Sequence, residues 1–169
     1  MQYAKGRIKE IFAEWAEISG REYGGLIESY RTEDAEVILL AMGSMAGTIK
    51  ETVDNLRSEG EKVGLVRIRC YRPFPYEEIW QAVKGAKAVA VLDANLSFGS
   101  EGAIGMDLKA KLYGIPGAPQ VVSVIAGLGG RDVDEARIKD IVNRVKEVRE
   151  SGYFLREPYW AGLNPTIVP

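Results

Sequence analysis

The sequence contains no histidine and a single cysteine, Cys70. Histidine is the commonest general base and a frequent metal ligand, so its absence removes every Ser-His and Cys-His arrangement and argues against an autonomous active site. One cysteine forms neither an internal disulfide nor a multi-cysteine zinc or iron–sulfur site. We therefore expect Cys70 to pack as a small apolar residue and not to act as a redox thiol.

Long apolar runs and an excess of either charge are also absent. No run reaches the length that crosses a membrane, and the N-terminus, with Lys5, Arg7, Lys9 and Glu10, lacks the apolar core of a signal peptide. The 22 basic and 24 acidic residues are interspersed, which gives no electrostatic case for nucleic acid or a membrane surface as a partner. We expect a cytoplasmic protein, and 169 residues suffice for one domain.

The chain is organised around residues 36–48. An apolar run that contains Val37 and Ile38 and ends at Gly43 predicts a strand buried on both faces, and helical spacing follows it. Ser44 is expected to accept from the free amides that open this helix. Helix starts of this kind can bind anions, but this one has neither the lysine of a Walker loop nor the spacing of a dinucleotide fingerprint. Turn geometry is therefore the favoured interpretation.

The same alternation recurs along the chain. Further buried strands are predicted at 63–68, 88–92 and 120–126, each followed by an amphipathic helix. Polar and glycine-rich loops at 93–102 and 127–132 follow the last two of these strands. Alternating strands and helices predict a three-layer α/β/α fold with a mainly parallel sheet, in which the glycine loops share one edge.

The two ends of the chain depart from this alternation. A helix near the N-terminus ends at Ser19-Gly20, and its apolar face consists of Ile8, Ile11, Phe12, Trp15 and Ile18. From residue 151 onward, aromatic residues and prolines mix without a helical or strand period. We therefore divide the chain into a lead-in helix and linker (1–25), an α/β domain (26–150) and an aromatic and proline tail (151–169). Helix 7–18 and the tail are expected to pack on each other, on a second copy or on missing domains.

Two loop carboxylates, Asp93 and Glu101, offer a catalytic and a structural interpretation. They can form an acid/base pair, but two carboxylates in a loop with no basic partner are more often helix caps. Arg131 can hold a phosphate or carboxylate, or it can pair with a neighbouring loop, and the sequence does not separate the two. The helix that follows Arg131 is capped either by Asp132 with Glu135 or by Asp134 alone.

Five ordered blocks carry a family resemblance. They are YRTEDAEVILLAMGS at 30–44, RPFP at 72–75, VLD at 91–93, SFGSEG at 97–102 and GLGGRDV at 127–133. Together they resemble the pyruvate:ferredoxin oxidoreductase family, and most closely the C-terminal portion of its alpha subunit. The resemblance covers nearly the whole chain, from Gly20 to Trp160. One departure is Ala94, because relatives often have an arginine there, so a charged contact of that arginine does not carry over.

The resemblance implies a transketolase C-terminal-like fold of five strands, with residues 26–30 as an antiparallel edge strand. It also implies that the complete enzyme decarboxylates a 2-oxoacid oxidatively to an acyl-CoA and passes the electrons to ferredoxin. That enzyme uses thiamine diphosphate, Mg and iron–sulfur clusters, which are bound elsewhere in the family. We accordingly expect no cofactor in this chain, and we expect the other subunits and domains of the oxidoreductase as its partners.

Two functions remain open. The first is a non-catalytic docking domain of such an oxidoreductase, and the second is a stand-alone doubly wound module that binds a small molecule or an anion at 43–48. The aromatic tail favours the first, because a stand-alone binder has little use for aromatic residues outside its core. No catalytic, cofactor-binding or metal residue is assigned. The candidate inter-domain or anion contacts are Gly43, Ser44, Gly47, Thr48, Asp93, Ser97, Gly99, Glu101, Arg131 and Asp132.

Overall fold

The computed structural model describes residues 2–152, 155 and 157–163, and every strand and helix that the sequence predicts is present. The helices are α1 (Gln2–Ser19), α2 (Met45–Ser58), α3 (Tyr76–Val83), α4 (Ala103–Leu112) and α5 (Glu135–Ser151), with a 3₁₀ turn at Leu128–Gly130. The strands are β1 (Ile27–Tyr30), β2 (Val37–Met42), β3 (Val63–Ile68), β4 (Ala88–Asp93), β5 (Gln120–Ile125) and β6 (Tyr159–Trp160).

The strands form one sheet in the order β1-β3-β2-β4-β5-β6. β1 runs antiparallel to β3, and the other neighbouring pairs are parallel. Alternate residues of β2 point to opposite faces of the sheet, and both faces are buried. Val37 and Leu39 lie on one face, and Ile38 and Leu40 lie on the other. The first face is covered by α2 and α5 and the second by α3 and α4. The predicted three-layer fold with one antiparallel edge strand is confirmed.

The sheet has one strand more than the five that the resemblance implies. β6 lies in the segment interpreted as a tail and pairs with the open edge of β5, where the Ala161 amide donates to the Ile125 carbonyl at 2.9 Å. Ala161 is buried, and Leu155 and Tyr159 pack on the same core. This pairing uses backbone groups, so it needs no side-chain period. The described part of the tail therefore packs on its own domain, an outcome that the prediction for the tail did not include.

α1 is only partly embedded in the domain. None of the side chains from Tyr3 to Ser19 is fully buried. Ion pairs join it to α3, where Lys5 contacts Glu77 and Glu78, and Lys9 contacts Glu78 at 2.8 Å. Among the helices of the described residues, α1 included, none is long and apolar enough to cross a membrane.

The connection between β1 and β2 lies directly against β3. Arg31 adopts a positive φ of 52°, and its Nε donates to Asp54 Oδ1 on α2 at 2.7 Å. A Cβ on Gly64 of β3 would lie 2.5 Å from the Arg31 carbonyl oxygen. Only glycine at residue 64 therefore lets this connection approach the strand so closely.

Candidate functional site

The three glycine loops meet at the carboxyl end of the sheet, as predicted for a parallel sheet. We call this surface, residues 43–48, 93–102 and 127–132, the carboxyl edge. The chain leaves β2 toward α2 on one face and leaves the neighbouring strand β4 toward α4 on the other face. Such a reversal opens a crevice between the strand ends, which is where α/β proteins commonly place their contacts and sites.

A cavity of about 570 Å³ occupies part of the carboxyl edge. It brings together four of the predicted contact residues, Ser44, Thr48, Arg131 and Asp132. Ala94 also lines the cavity and adds no charge to it. The remaining predicted residues after β4 lie on the loop at 97–101.

Ser44 does not cap α2, so that prediction is wrong. Its backbone is helical, with φ −70° and ψ −32°, and its side chain makes no capping hydrogen bond. A capping serine normally has extended backbone angles that aim its hydroxyl back at the first amides of the helix. The carbonyl of Ser44 instead accepts from the Gly47 amide at 3.1 Å, so the first turn begins at Ser44 itself.

Arg131 joins the carboxyl edge to the last described segment of the chain. Its Nη1 donates to the Gly162 carbonyl at 3.1 Å. The sequence left open whether Arg131 binds a phosphate or carboxylate or pairs with a neighbouring loop. In the structure Arg131 contacts its own chain, but the partner is the tail and not a neighbouring loop. The cap of α5 is Asp134 alone, which accepts from the Arg137 amide at 2.8 Å.

Asp93 is the most buried polar group of the edge, with 1% of its surface exposed. Its carboxylate accepts from the amides of Ile104 at 3.2 Å and Gly105 at 3.0 Å, so it caps α4 from the end of β4. A Cβ on Gly102 would lie 2.3 Å from the Asp93 side chain, so glycine is required there. Burial raises the pKa of Asp93 and outweighs the two hydrogen bonds, and the charges of Asp107 and Glu101 raise it further.

Glu101 has a different role from Asp93. It accepts from Lys109 Nζ at 2.6 and 2.8 Å, so the expectation that it has no basic partner is wrong. The two carboxylates thus bind different groups of α4, one the backbone amides and the other a lysine. These contacts favour the structural interpretation over an acid/base pair.

The loop between β4 and α4 presents an exposed aromatic side chain, Phe98, which was not among the predicted contact residues. The Ser97 amide donates to the Glu101 carbonyl at 3.0 Å, and the Ser100 amide donates to the Ser97 carbonyl at 2.9 Å. Gly99 turns the chain with a φ of 73°. This hydrogen-bonded turn holds Phe98 with 99% of its surface exposed. The available signal was the aromatic residue in the stretch SFGSEG at 97–102, whose other residues are polar or glycine.

Cys70 is partly buried, and its thiol donates to the Arg72 carbonyl at 3.3 Å. It therefore makes a weak polar contact in addition to packing. Within the part of the chain that the structure describes, no group of three or more cysteine, aspartate or glutamate side chains could hold a metal ion.

Comparison with known proteins places this architecture in a family. The model of the family "Pyruvate:ferredoxin oxidoreductase core domain II" matches residues 35–151. The chain is 41% identical over 160 residues to pyruvate synthase subunit PorA of Methanosarcina barkeri, which covers 94% of this chain and 40% of the relative. It is 43% identical over 161 residues to ketoisovalerate oxidoreductase subunit VorA of Pyrococcus horikoshii, which covers 95% of this chain and 41% of the relative.

Pyruvate synthase subunit PorA of Methanothermobacter thermautotrophicus is 45% identical over 164 residues, 97% of this chain and 40% of the relative. A solved 2-oxoglutarate:ferredoxin oxidoreductase from Magnetococcus marinus superposes with a TM-score of 0.49 at 22% identity, over 80% of this chain and 21% of that chain. The chain spans about two fifths of the length of these curated relatives. On the family match and these identities, the chain belongs to the pyruvate:ferredoxin oxidoreductase family, as its core domain II.

Proposed function

We propose that the chain is a non-catalytic docking domain of the alpha subunit of a 2-oxoacid:ferredoxin oxidoreductase. The complete enzyme converts a 2-oxoacid and coenzyme A to an acyl-CoA and CO₂ and reduces ferredoxin. In this proposal the lead-in (1–25) precedes the docking domain, the tail (151–169) follows it and adds β6 to its sheet, and the carboxyl edge contacts other domains or subunits. Apart from Asp93, which is buried, the candidate contact residues named from the sequence, with Phe98 added to them, provide that surface.

The observation that carries the proposal is Phe98. A side chain of this size, exposed at 99% on a hydrogen-bonded turn, gains nothing for the stability of its own domain. Aromatic side chains at the centre of an interface commonly supply most of its binding energy. Because the turn is already ordered, little conformational entropy is lost when Phe98 docks.

The residues of this chain do not fit the cofactors of the complete enzyme. A four-iron cluster takes about four thiolates, and the sequence has one cysteine. The sequence has no histidine, and the described residues contain no carboxylate cluster of the required size, so no metal site is found in the described part of the chain. We therefore propose that thiamine diphosphate, its metal ion and the clusters are bound by other domains, and that ferredoxin is a partner of the whole enzyme.

The isolated chain is accordingly expected neither to decarboxylate pyruvate nor to bind an iron–sulfur cluster. The measurement is pyruvate- and coenzyme A-dependent reduction of an artificial electron acceptor, together with the visible spectrum of the anaerobically purified chain. Charge-transfer absorbance with about four irons per chain would contradict this expectation.

Docking is tested by recovering the tagged chain from its own cell with Phe98→Ser as the variant. The wild-type chain is expected to retain 2-oxoacid oxidoreductase subunits, identified by mass spectrometry, and Phe98→Ser is expected to lose them. Tyr113→Ser is the matched control, because Tyr113 is also exposed but lies at the opposite end of α4. Equal recovery with both variants, or no oxidoreductase subunit with the wild-type chain, would refute the proposal.

The alternative, an anion-binding module at 43–48, makes a different prediction. Pyruvate, coenzyme A, thiamine diphosphate and nucleotides are titrated into the chain, and amide shifts are followed by NMR. A docking surface gives at most weak shifts, since a helix start attracts sulfate or phosphate through charge-assisted hydrogen bonds. Saturable shifts at 43–48 with affinity in the micromolar range would replace docking with ligand binding.

A further inference from the structure

A second surface, distinct from most of the carboxyl edge, lies between α1 and the ends of β2 and β3. This groove has a volume of about 600 Å³, and we call it the α1 groove. Its apolar lining consists of Ile8, Ile11, Phe12, Trp15, Tyr23, Met42 and Ile68. Ile11 and Trp15 are each 50% exposed, and Ile18 one turn further is 80% exposed. Contiguous apolar surface of this kind usually marks a contact site.

The α1 groove also contains two arginines, Arg67 and Arg69. The carboxylate beside them, Glu28, also pairs with Lys50, so three cations share one carboxylate. Arg67 interacts most weakly with Glu28 among the three cations, because its Nη1 lies 3.8 Å from the carboxylate, beyond hydrogen-bond distance. Arg69 Nε is buried without a hydrogen-bond partner among the described residues. The groove is thus apolar with an excess of positive charge.

We infer that the α1 groove is a docking site for a segment of another polypeptide that carries apolar side chains and a carboxylate. The apolar side chains would cover Ile11 and Trp15, and the carboxylate would bind Arg67. A guanidinium binds a carboxylate through two parallel hydrogen bonds, which fixes the register of the segment as well as its charge. This inference goes beyond the docking proposed for the carboxyl edge, because it names a different surface and the chemistry of its partner.

Charge favours such a segment over a second copy of this chain. A symmetric pair would place the same surface against itself, so the excess charge of Arg67 and Arg69 would be doubled at one interface. Of the three α1 carboxylates, Glu10, Glu14 and Glu17, the first two are already paired with Arg7 at 2.9 and 3.3 Å. An acidic partner relieves the imbalance, and a second copy increases it.

The test uses a fluorescent helical peptide of about four turns, with leucine and phenylalanine on one face and glutamates along the border of that face. A matched peptide has glutamine in place of each glutamate. Fluorescence anisotropy gives both affinities for the 169-residue chain. The glutamate peptide is expected to bind about tenfold more tightly, because a charge-assisted pair replaces a neutral one. Amide shifts are expected to concentrate on α1 and the end of β3.

Three variants assign the contacts. Arg67→Gln is expected to remove the difference between the two peptides and leave the affinity for the glutamine peptide unchanged. Trp15→Ala is expected to weaken both peptides by a similar factor, because it removes apolar contact and no charge. Arg144→Gln is the control, since Arg144 lies on α5 and pairs with Glu147 of the same helix. Thermal unfolding of each variant verifies that it is folded.

Each of the other outcomes overturns the inference. Failure of both peptides to bind, equal binding of the two, or a difference that survives in Arg67→Gln would each refute it. Decanoate that competes as strongly as the glutamate peptide would assign the groove to a small amphiphile. A dimer in sedimentation that Trp15→Ala dissociates would assign it to a second copy. None of these readouts depends on the oxidoreductase partners, so the inference and the proposed function fail separately.

Discussion

Asp93→Ala is expected to destabilise the start of α4. The wild-type carboxylate accepts from the buried amides of Ile104 and Gly105, and alanine leaves both without this acceptor. An unsatisfied buried amide costs about 1–3 kcal/mol, so two give roughly 2–6 kcal/mol. Because the variant also removes a carboxylate that is unfavourable to bury, we expect a net loss of about 2–4 kcal/mol in the free energy of unfolding.

Urea denaturation measures this loss, and an unchanged m-value would show that the unfolded state is comparable. Amide hydrogen exchange adds a local readout, since Ile104 and Gly105 are expected to exchange faster than the amides of α5. Asp132→Ala is the control, because Asp132 is an exposed carboxylate of the same edge. A loss in Asp93→Ala no larger than that of Asp132→Ala would refute the capping role.

The pH dependence of Asp93 has a definite sign. Its folded pKa is raised above the ordinary value of 3.8, so protonation stabilises the folded state. That contribution is fully present below about pH 4 and is lost as the pH rises through the raised pKa. Asp93→Asn does not titrate, so the stability of the wild type relative to this variant is expected to fall from about pH 4 toward neutrality. A relative stability that rises over this range would contradict the burial argument.

Two further predictions concern packing and tyrosine titration. Gly64→Ala is expected to lower the free energy of unfolding by about 1–3 kcal/mol or more, because its Cβ would lie 2.5 Å from the Arg31 carbonyl oxygen. Gly47→Ala is expected to raise it by about 0.5–1 kcal/mol, because Gly47 lies in α2 with open space around its Cβ position. Equal effects of the two substitutions in urea denaturation would contradict this. Burial, followed by a hydrogen bond to a carboxylate, raises the pKa of Tyr71 and of Tyr159 to about 12. The neutral phenols therefore stabilise the fold fully below about pH 10, and this contribution is lost as the pH rises through about 12. Spectrophotometric titration is expected to lose one late-ionising phenol in Tyr71→Phe and one in Tyr159→Phe, relative to the wild type.

The fold could be predicted from the sequence because its core strands have a strong local signal. The run from Val37 to Met42 is apolar on both faces, a composition typical of a strand between two helical layers. β6 carried no such signal, since it is held by backbone pairing with β5 and by the burial of Ala161. Sequence patterns report side chains, so an element defined by backbone hydrogen bonds to a distant strand escapes them.

The candidate site was predicted less completely than the fold. The meeting of the three loops followed from the parallel sheet, and so did the proximity of Ser44, Thr48 and Arg131. The contacts of single residues did not follow, because they depend on backbone angles and loop paths. Ser44 does not cap its helix because its backbone is helical, and Glu101 pairs with Lys109, eight residues further along the chain.

The ionic attachment of α1 has a consequence for how the molecule opens. Without a fully buried side chain between Tyr3 and Ser19, the helix contributes little to the global unfolding transition and is expected to behave as a separate foldon. Its contacts through Lys5 and Lys9 are screened as salt is added, so we expect the opening of α1 to become easier with ionic strength. Because α1 forms one wall of the α1 groove, the stability of that wall is expected to fall as the salt concentration rises. A partner bound in the groove would hold α1 against the domain and oppose this effect.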